Sequence, residues 1–293
     1  MPVPRRLKRQ AGRHALVDGI PFEMPVNSHD SPALMAGFTV DHARASALIP
    51  GCELGLIRLP RDRALLIVTV IEYRSTDIGK YVEYSIAFAC HHKPAGAKVM
   101  GTVLSERLSM IGQYVWDLPV SSLISVKGGK GIWGMPKHQA NLDFRLLPHE
   151  VSSQYDLDGR LCARITVARS GGLRIPMRNL GATNYCQFRG MLMKSRVSFS
   201  DRAEVAVGKR AHGQLLIGDH PRMDPLRALG ISDSPSFVAC MPHSHGVLDD
   251  HCESWFLTDR RAPDAARPPQ GLESVVGLPS DDSWLPPPTA AGR

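Results

Sequence analysis

The sequence predicts a mainly β protein (α+β, with few short helices) whose strands form one large antiparallel sheet, closed or nearly closed into a barrel or cone around an internal cavity. Three observations lead there. Short β-rich runs recur between turn signals from Ala64 to Cys240, helical periods are rare, and a sheet of many strands removes its exposed edges by closing on itself. With 293 residues, 43% apolar and 22% charged, the chain can bury a sizeable core and is too apolar for wholesale disorder.

Residues 1–20 are expected to be a basic arm. Arg5, Arg6, Lys8, Arg9 and Arg13 lie in it, and the whole chain sets 35 Lys and Arg against 28 Asp and Glu, a net charge of +7. The rest of the chain is close to neutral and carries no basic stripe, so nucleic acid is not an expected partner. The longest apolar stretch, Ala64 to Ile71 interrupted by Thr69, is far short of a bilayer span, and no apolar signal core follows the first arginines. A soluble, cytoplasmic protein without membrane contact is the expectation. Six cysteines without a CxxC pair fit reduced, mostly buried thiols.

The main domain is expected over residues 21–260. Asp41 caps a short helix from His42 to Ile49 that Pro50 stops, and Asp224 to Gly230 makes a second, with Pro225 in its first turn. Strands are expected at Ala64–Tyr73, Tyr81–Ala89, Ser121–Lys127, Gln139–Leu146, Ser152–Leu157, Leu161–Ala168, Met193–Phe199, Gly213–Ile217 and Ser236–Cys240. Asp158-Gly159 accepts the positive φ angles of a tight hairpin. Alternation from Tyr81 to Phe88 sets Val82, Tyr84, Ile86 and Phe88 on one face and Tyr81, Glu83, Ser85 and Ala87 on the other. An acid on an inner face needs a partner or a task. From Arg261 onward, seven of the last 33 residues are proline, and residues 261–293 read as an extended tail.

The most distinctive stretch runs from Ser125 to Leu142: a strand, then Gly128-Gly129-Lys130-Gly131, then Trp133-Gly134-Met135-Pro136-Lys137-His138. Pro136 fixes its own φ and biases Met135 to an extended shape, so Lys137 is presented at a defined angle. Taken alone, a lysine here is more often a solvated cation than a nucleophile.

This segment resembles the acetoacetate decarboxylase family, in which a glycine-containing basic run leads through an aromatic or apolar pair to Pro-Lys. The capped helix ending at Ile49-Pro50, the Gly79-Lys80-Tyr81-Val82-Glu83 approach, and Gly218-Asp219-His220 followed by Pro225-Leu226 are similar to that family's layout in order, so the likeness spans Pro21 to Asp259. The resemblance implies a barrel-like fold with a cavity, a Schiff-base lysine at Lys137, a nearby acid at Glu83 and a homo-oligomer. It implies a lyase acting on a small oxo acid through an imine and an enamine, by decarboxylation or by aldol or dehydration chemistry. No cofactor is implied. Trp133, Met135, Tyr81 and His138 are the expected substrate contacts. Glu83 has a plainer reading beside this one, as a strand glutamate paired with a cation across the sheet.

Such chemistry demands a neutral amine, and an unperturbed lysine is uncharged in only about one molecule in 2,500 at neutral pH, so its surroundings must favour proton loss. The sequence departs from the family at three places. His138 stands where a second lysine is usual, Asn27 to Ser31 holds no arginine, and Leu66 to Val70 holds no acid. These departures argue against acetoacetate itself as the substrate. Two other classes compete. Cys240-Met241-Pro242-His243-Ser244-His245, His251-Cys252 and Cys90-His91-His92 offer zinc-binding side chains but match no zinc spacing, and no metal is expected. The alternative is a non-catalytic barrel derived from the family that binds a small molecule.

Overall fold

The computed structural model describes residues 12–92, 111–169, 173–248 and 252–258. The proline-rich segment 261–293 lies outside them, as do residues 1–11 of the arm. In chain order the first strands are β1 (Arg13–Val17), β2 (Ile20–Met24), β3 (Val26–Asp30), β4 (Ala33–Asp41), β5 (Leu54–Leu56), β6 (Arg63–Tyr73), β7 (Ser75–Thr76), β8 (Tyr81–His92), β9 (Ile111–Val120) and β10 (Lys137–Gln139). They are followed by β11 (Asn141–Leu142), β12 (Arg145–Leu146), β13 (Glu150–Leu157), β14 (Arg160–Ala168), β15 (Leu173–Phe188), β16 (Met191–Val207), β17 (Gly213–Ile217), β18 (Phe237–Met241), β19 (His245–Leu248) and β20 (Glu253–Phe256). The α-helices are α1 (His42–Ser46), α2 (Leu123–Trp133) and α3 (Asp224–Arg227).

The expected closure is present as a ring. Pairing runs β9, β8, β6, β4, β18, β16, β15 and back to β9, so these strands leave no open edge between them. The sheet is mixed rather than wholly antiparallel, because β15 meets β9 in parallel over Asn184–Gln113 and Tyr185–Tyr114, and β10 runs parallel to β9. A separate sheet of β11, β12, β13, β14 and β17 packs outside the ring. Its hairpin turns at Asp158 and Gly159, with φ of 51° and 73°, as the dipeptide requires.

Strand alternation then makes two apolar layers. Phe38, Leu66, Tyr84, Ile86 and Phe88 point out of the ring and meet Val151, Tyr155 and Ile165 of the second sheet. Burying each such side chain contributes about 1.5–3 kcal/mol before entropy is counted. The opposite faces of the same strands look into the ring, where Met24, Val115, Leu118, Trp133 and Met135 pack together. Tyr81, Glu83 and Ser85 take the inner side of β8, as alternation predicts.

Two expected elements differ. Ser121–Lys127 is not a strand: the chain turns into α2, with Ser122 Oγ accepting from the Ser125 N–H at the helix start. Gln139–Leu146 is not continuous either. The chain leaves the ring after β10 and joins the second sheet through β11 and β12, so the apolar run serves two sheets in turn. The end of the arm is strand β1, paired with β2 from Arg13–Met24 to Val17–Ile20. Both predicted short helices are present, and Asp41 Oδ1 caps α1 by accepting from the Arg44 N–H at 2.8 Å.

Candidate active site

Lys137 opens β10, and the local chain explains its position. Helix α2 ends at Gly134, whose φ of 65° is the left-handed conformation glycine adopts without strain. The Gly134 and Met135 N–H groups donate back to Lys130 and Gly129 carbonyls at 3.1 and 3.0 Å. Pro136 then centres a tight turn in which the Lys137 N–H donates to the Met135 carbonyl at 2.7 Å. Parallel pairing of Lys137 with Leu118 fixes the rest: Lys137 faces the inside of the ring and His138 faces out.

The glycines of α2 have a steric task. Ser125, Gly128, Gly129 and Trp133 form its buried stripe at helical spacing. A Cβ on Gly129 would overlap Lys137 Cδ and lie 2.7 Å from Cε, so only glycine lets the lysine stem lie across the helix. One turn earlier on that face, Ser125 Oγ accepts from Lys137 Nζ at 2.9 Å.

The amine is 4% exposed and sits 2.7 Å from Glu83 Oε2. Glu83 comes from β8 and Lys137 from β10, the strands flanking β9, so the two reach toward each other over Leu118 and Val120. The plainer reading of Glu83, a cation-paired strand acid, and the chemical one therefore meet in one contact. Tyr81 lies beneath, its ring centroid 5.4 Å from Nζ and stacked on Tyr73 at 4.4 Å. Burial, with the Glu83 charge beside it, pushes both phenols well above the ordinary tyrosine value, so they remain protonated.

Lys137, Glu83, Trp133 and Met135 line a cavity of about 70 Å³ inside the ring. Of the expected substrate contacts, Trp133 and Met135 are thus on the wall and Tyr81 is against the amine. His138 is not brought to this cavity. It lies on the other side of β10, where Nε2 is 2.9 Å from the Tyr155 hydroxyl and Nδ1 is 3.6 Å from Asp117 Oδ1. Strand alternation is the reason: neighbours on a strand face opposite ways.

That outer cluster holds residues the sequence did not single out. Asp117, 1% exposed on its side chain, accepts from Arg222 Nε and Nη2 at 3.0 and 2.7 Å and from the Tyr155 hydroxyl at 3.3 Å. Burial lowers the affinity of His138 for a proton, and nearby Asp117 opposes that only in part. The one signal was an isolated acid inside the apolar run Tyr114-Val115-Trp116-Asp117-Leu118. Ser125 carried no signal beyond its spacing of four from Gly129.

Among the described residues, no three His, Cys, Asp or Glu side chains gather as a metal-binding group. Cys90 and Cys240 are buried in the outer core, and His251 lies outside the described residues. Nor is any helix among them long and apolar enough to cross a membrane.

The acetoacetate decarboxylase family model matches residues 8–184, more than half of the chain and all of the amine's surroundings described so far except β16 and Arg222. The chain belongs to the acetoacetate decarboxylase family. No curated protein matches it by sequence. Solved structures share the family fold at low identity. The acetoacetate decarboxylase from Legionella pneumophila subsp. pneumophila str. Philadelphia 1 is 14% identical with a TM-score of 0.57, covering 89% of this chain and 93% of that one. The enduracididine biosynthesis enzyme MppR complexed with pyruvate is 14% identical with a TM-score of 0.56, covering 81% and 92%. An acetoacetate decarboxylase-like enzyme from Sphingomonas wittichii RW1 is 15% identical with a TM-score of 0.53, covering 81% and 95%. At this identity the decarboxylase likeness carries the fold, and the site must speak for the chemistry.

Proposed function

We propose that the protein is a lyase that forms a Schiff base between Lys137 and a small oxo acid. The observation that carries this reading is a lysine amine, almost fully buried on the wall of a cavity inside the ring, with a carboxylate oxygen at 2.7 Å. Membership of the acetoacetate decarboxylase family supports an imine mechanism, and the pyruvate in the MppR structure supports an oxo acid as the substrate class.

The steps follow from the geometry. Glu83 Oε2 takes the proton from the ammonium, and Nζ attacks the ketone carbon. Proton return to the carbinol oxygen expels water and leaves a protonated imine. Its nitrogen accepts the electron pair released when a neighbouring carbon–carbon bond breaks, with carbon dioxide or an aldehyde as the departing group, or when an α-proton is lost. The enamine is then protonated on carbon and hydrolysed, which returns the amine. Ser125 Oγ orients Nζ throughout, and Tyr81, held protonated, is a donor beside the forming imine. The apolar wall of Leu118, Trp133 and Met135 excludes water from the cation.

One observation favours the second reading, a family-derived barrel that binds its ligand without turnover: the residue after the lysine, His138, faces away from the amine and does not assist its proton loss. Turnover separates the two. Incubation with acetoacetate, pyruvate and related oxo acids should release carbon dioxide or an aldol product from one of them, and Lys137→Ala should abolish it. Binding of an oxo acid without product from any of them would favour the binder.

A further inference from the structure

Beyond the amine and its carboxylate, the cavity wall carries two hydroxyls that the fold does not use. Thr69 on β6 and Ser195 on β16 are 8% and 4% exposed, and neither hydroxyl finds a hydrogen-bond partner among the described residues. Buried hydroxyls are nearly always answered in native interiors, because leaving one unpaired forfeits its hydration for nothing. Their register puts them among the chamber's other polar side chains, which include Tyr73, Gln113, Asn184 and Arg196. Thr69 pairs across to Ser85, which lies one inward position from Glu83 on β8. Ser195 pairs with Asn184, and Asn184 with Gln113, whose Nε2 donates to Asn184 Oδ1 at 2.8 Å. All of these residues line the cavity that Lys137 lines.

We propose that Thr69 and Ser195, supported by the Gln113–Asn184 pair, bind a second oxygen-bearing group of the ketone whose carbonyl carbon reaches Lys137. The inference rests on the imine reading of Lys137 and deepens it by naming a substrate class: small ketones that carry a hydroxyl or carboxylate oxygen beside the reacting carbonyl. The chemistry agrees, since hydroxyls both donate and accept and so satisfy either oxygen function.

Three ketones with the same carbon count test this: acetone, hydroxyacetone and pyruvate, each trapped on the full-length protein with sodium cyanoborohydride. The half-saturating concentration for the Lys137 adduct is read by mass spectrometry. Wild-type protein should favour hydroxyacetone or pyruvate over acetone, and Ser195→Ala and Thr69→Val should each shrink that advantage about three- to tenfold, the worth of one hydrogen bond. Loss confined to hydroxyacetone identifies a hydroxyl as the bound group, and loss confined to pyruvate a carboxylate. Thr69→Val should melt no lower than wild type, because the hydroxyl it removes has no protein partner. An advantage untouched by both variants, or a Thr69→Val protein that is destabilised, overturns the subsite and leaves these hydroxyls holding water. Absence of a Lys137 adduct with all three ketones overturns the imine reading, and the subsite with it.

Discussion

Gly129 and Lys137 illustrate how a single absent methyl sets the chemistry. Alanine is the better helix former by about 1 kcal/mol, so Gly129→Ala raises the helix propensity of α2. Its Cβ would nevertheless overlap the lysine stem and push Nζ from Ser125 and Glu83. Because misplacement by about 1 Å can cost a hundredfold in rate, imine formation should fall by at least tenfold. Overpacking the buried stem should cost about 1–3 kcal/mol, which outweighs the gain in helix propensity and lowers the melting temperature. Parallel measurement of adduct formation and thermal unfolding checks both halves. Lys137 and Glu83 were singled out by the resemblance to the acetoacetate decarboxylase family, Pro136 and strand alternation indicating only how each side chain is presented. Ser125 was not, since a serine four residues before a glycine carries meaning only once the segment is known to be helical.

At the level of the element, α2 shows why β-branched and glycine-rich segments mislead. Leu123-Ile124-Ser125-Val126 has the composition of a strand, and three glycines follow at about 1 kcal/mol each against a helix. Tertiary packing on the lysine, which no local pattern encodes, overrides both preferences. Strand β10 holds the complementary lesson. Its inner residue, Lys137, lines the cavity and its outer residue, His138, is tied into the Asp117–Arg222–Tyr155 cluster that pins the strand from behind. Removing the cation strands a fully buried carboxylate, so Arg222→Met should destabilise the protein by about 3–5 kcal/mol. Asp117→Asn should cost less, because Arg222 is a third exposed and can turn toward water. Urea unfolding of the two variants reads the asymmetry, and equal losses would contradict it. The same cluster gives a pH dependence. Burial holds the His138 value in the folded protein below its ordinary 6.5, so the unfolded chain takes up the proton first. Stability contributed by neutral His138 is present above about pH 6.5 and is lost as the pH falls through the depressed folded value. His138→Gln should flatten that slope in unfolding measured between pH 7 and pH 5.

Across the whole molecule, the mainly β character and the closure were legible because alternation and turn residues are local signals that sum over many strands. The hairpin at Asp158-Gly159 and the inner face of β8 were read correctly for that reason. What could not be read was which strands meet. The parallel contact of β15 with β9 joins segments some 70 residues apart, and the crossing of the chain from β10 into the second sheet follows from packing of two layers. The ring matters to function because it turns one face of each strand inward, and a cavity closed on its sides can keep an amine dry. The central claim is that this inward amine is the nucleophile. Reduction with cyanoborohydride in the presence of a small oxo acid, followed by peptide mass mapping, tests it most directly. The account predicts a stoichiometric adduct on the peptide carrying Lys137 that disappears in Lys137→Ala; label spread evenly over exposed lysines, or none at all, would contradict it.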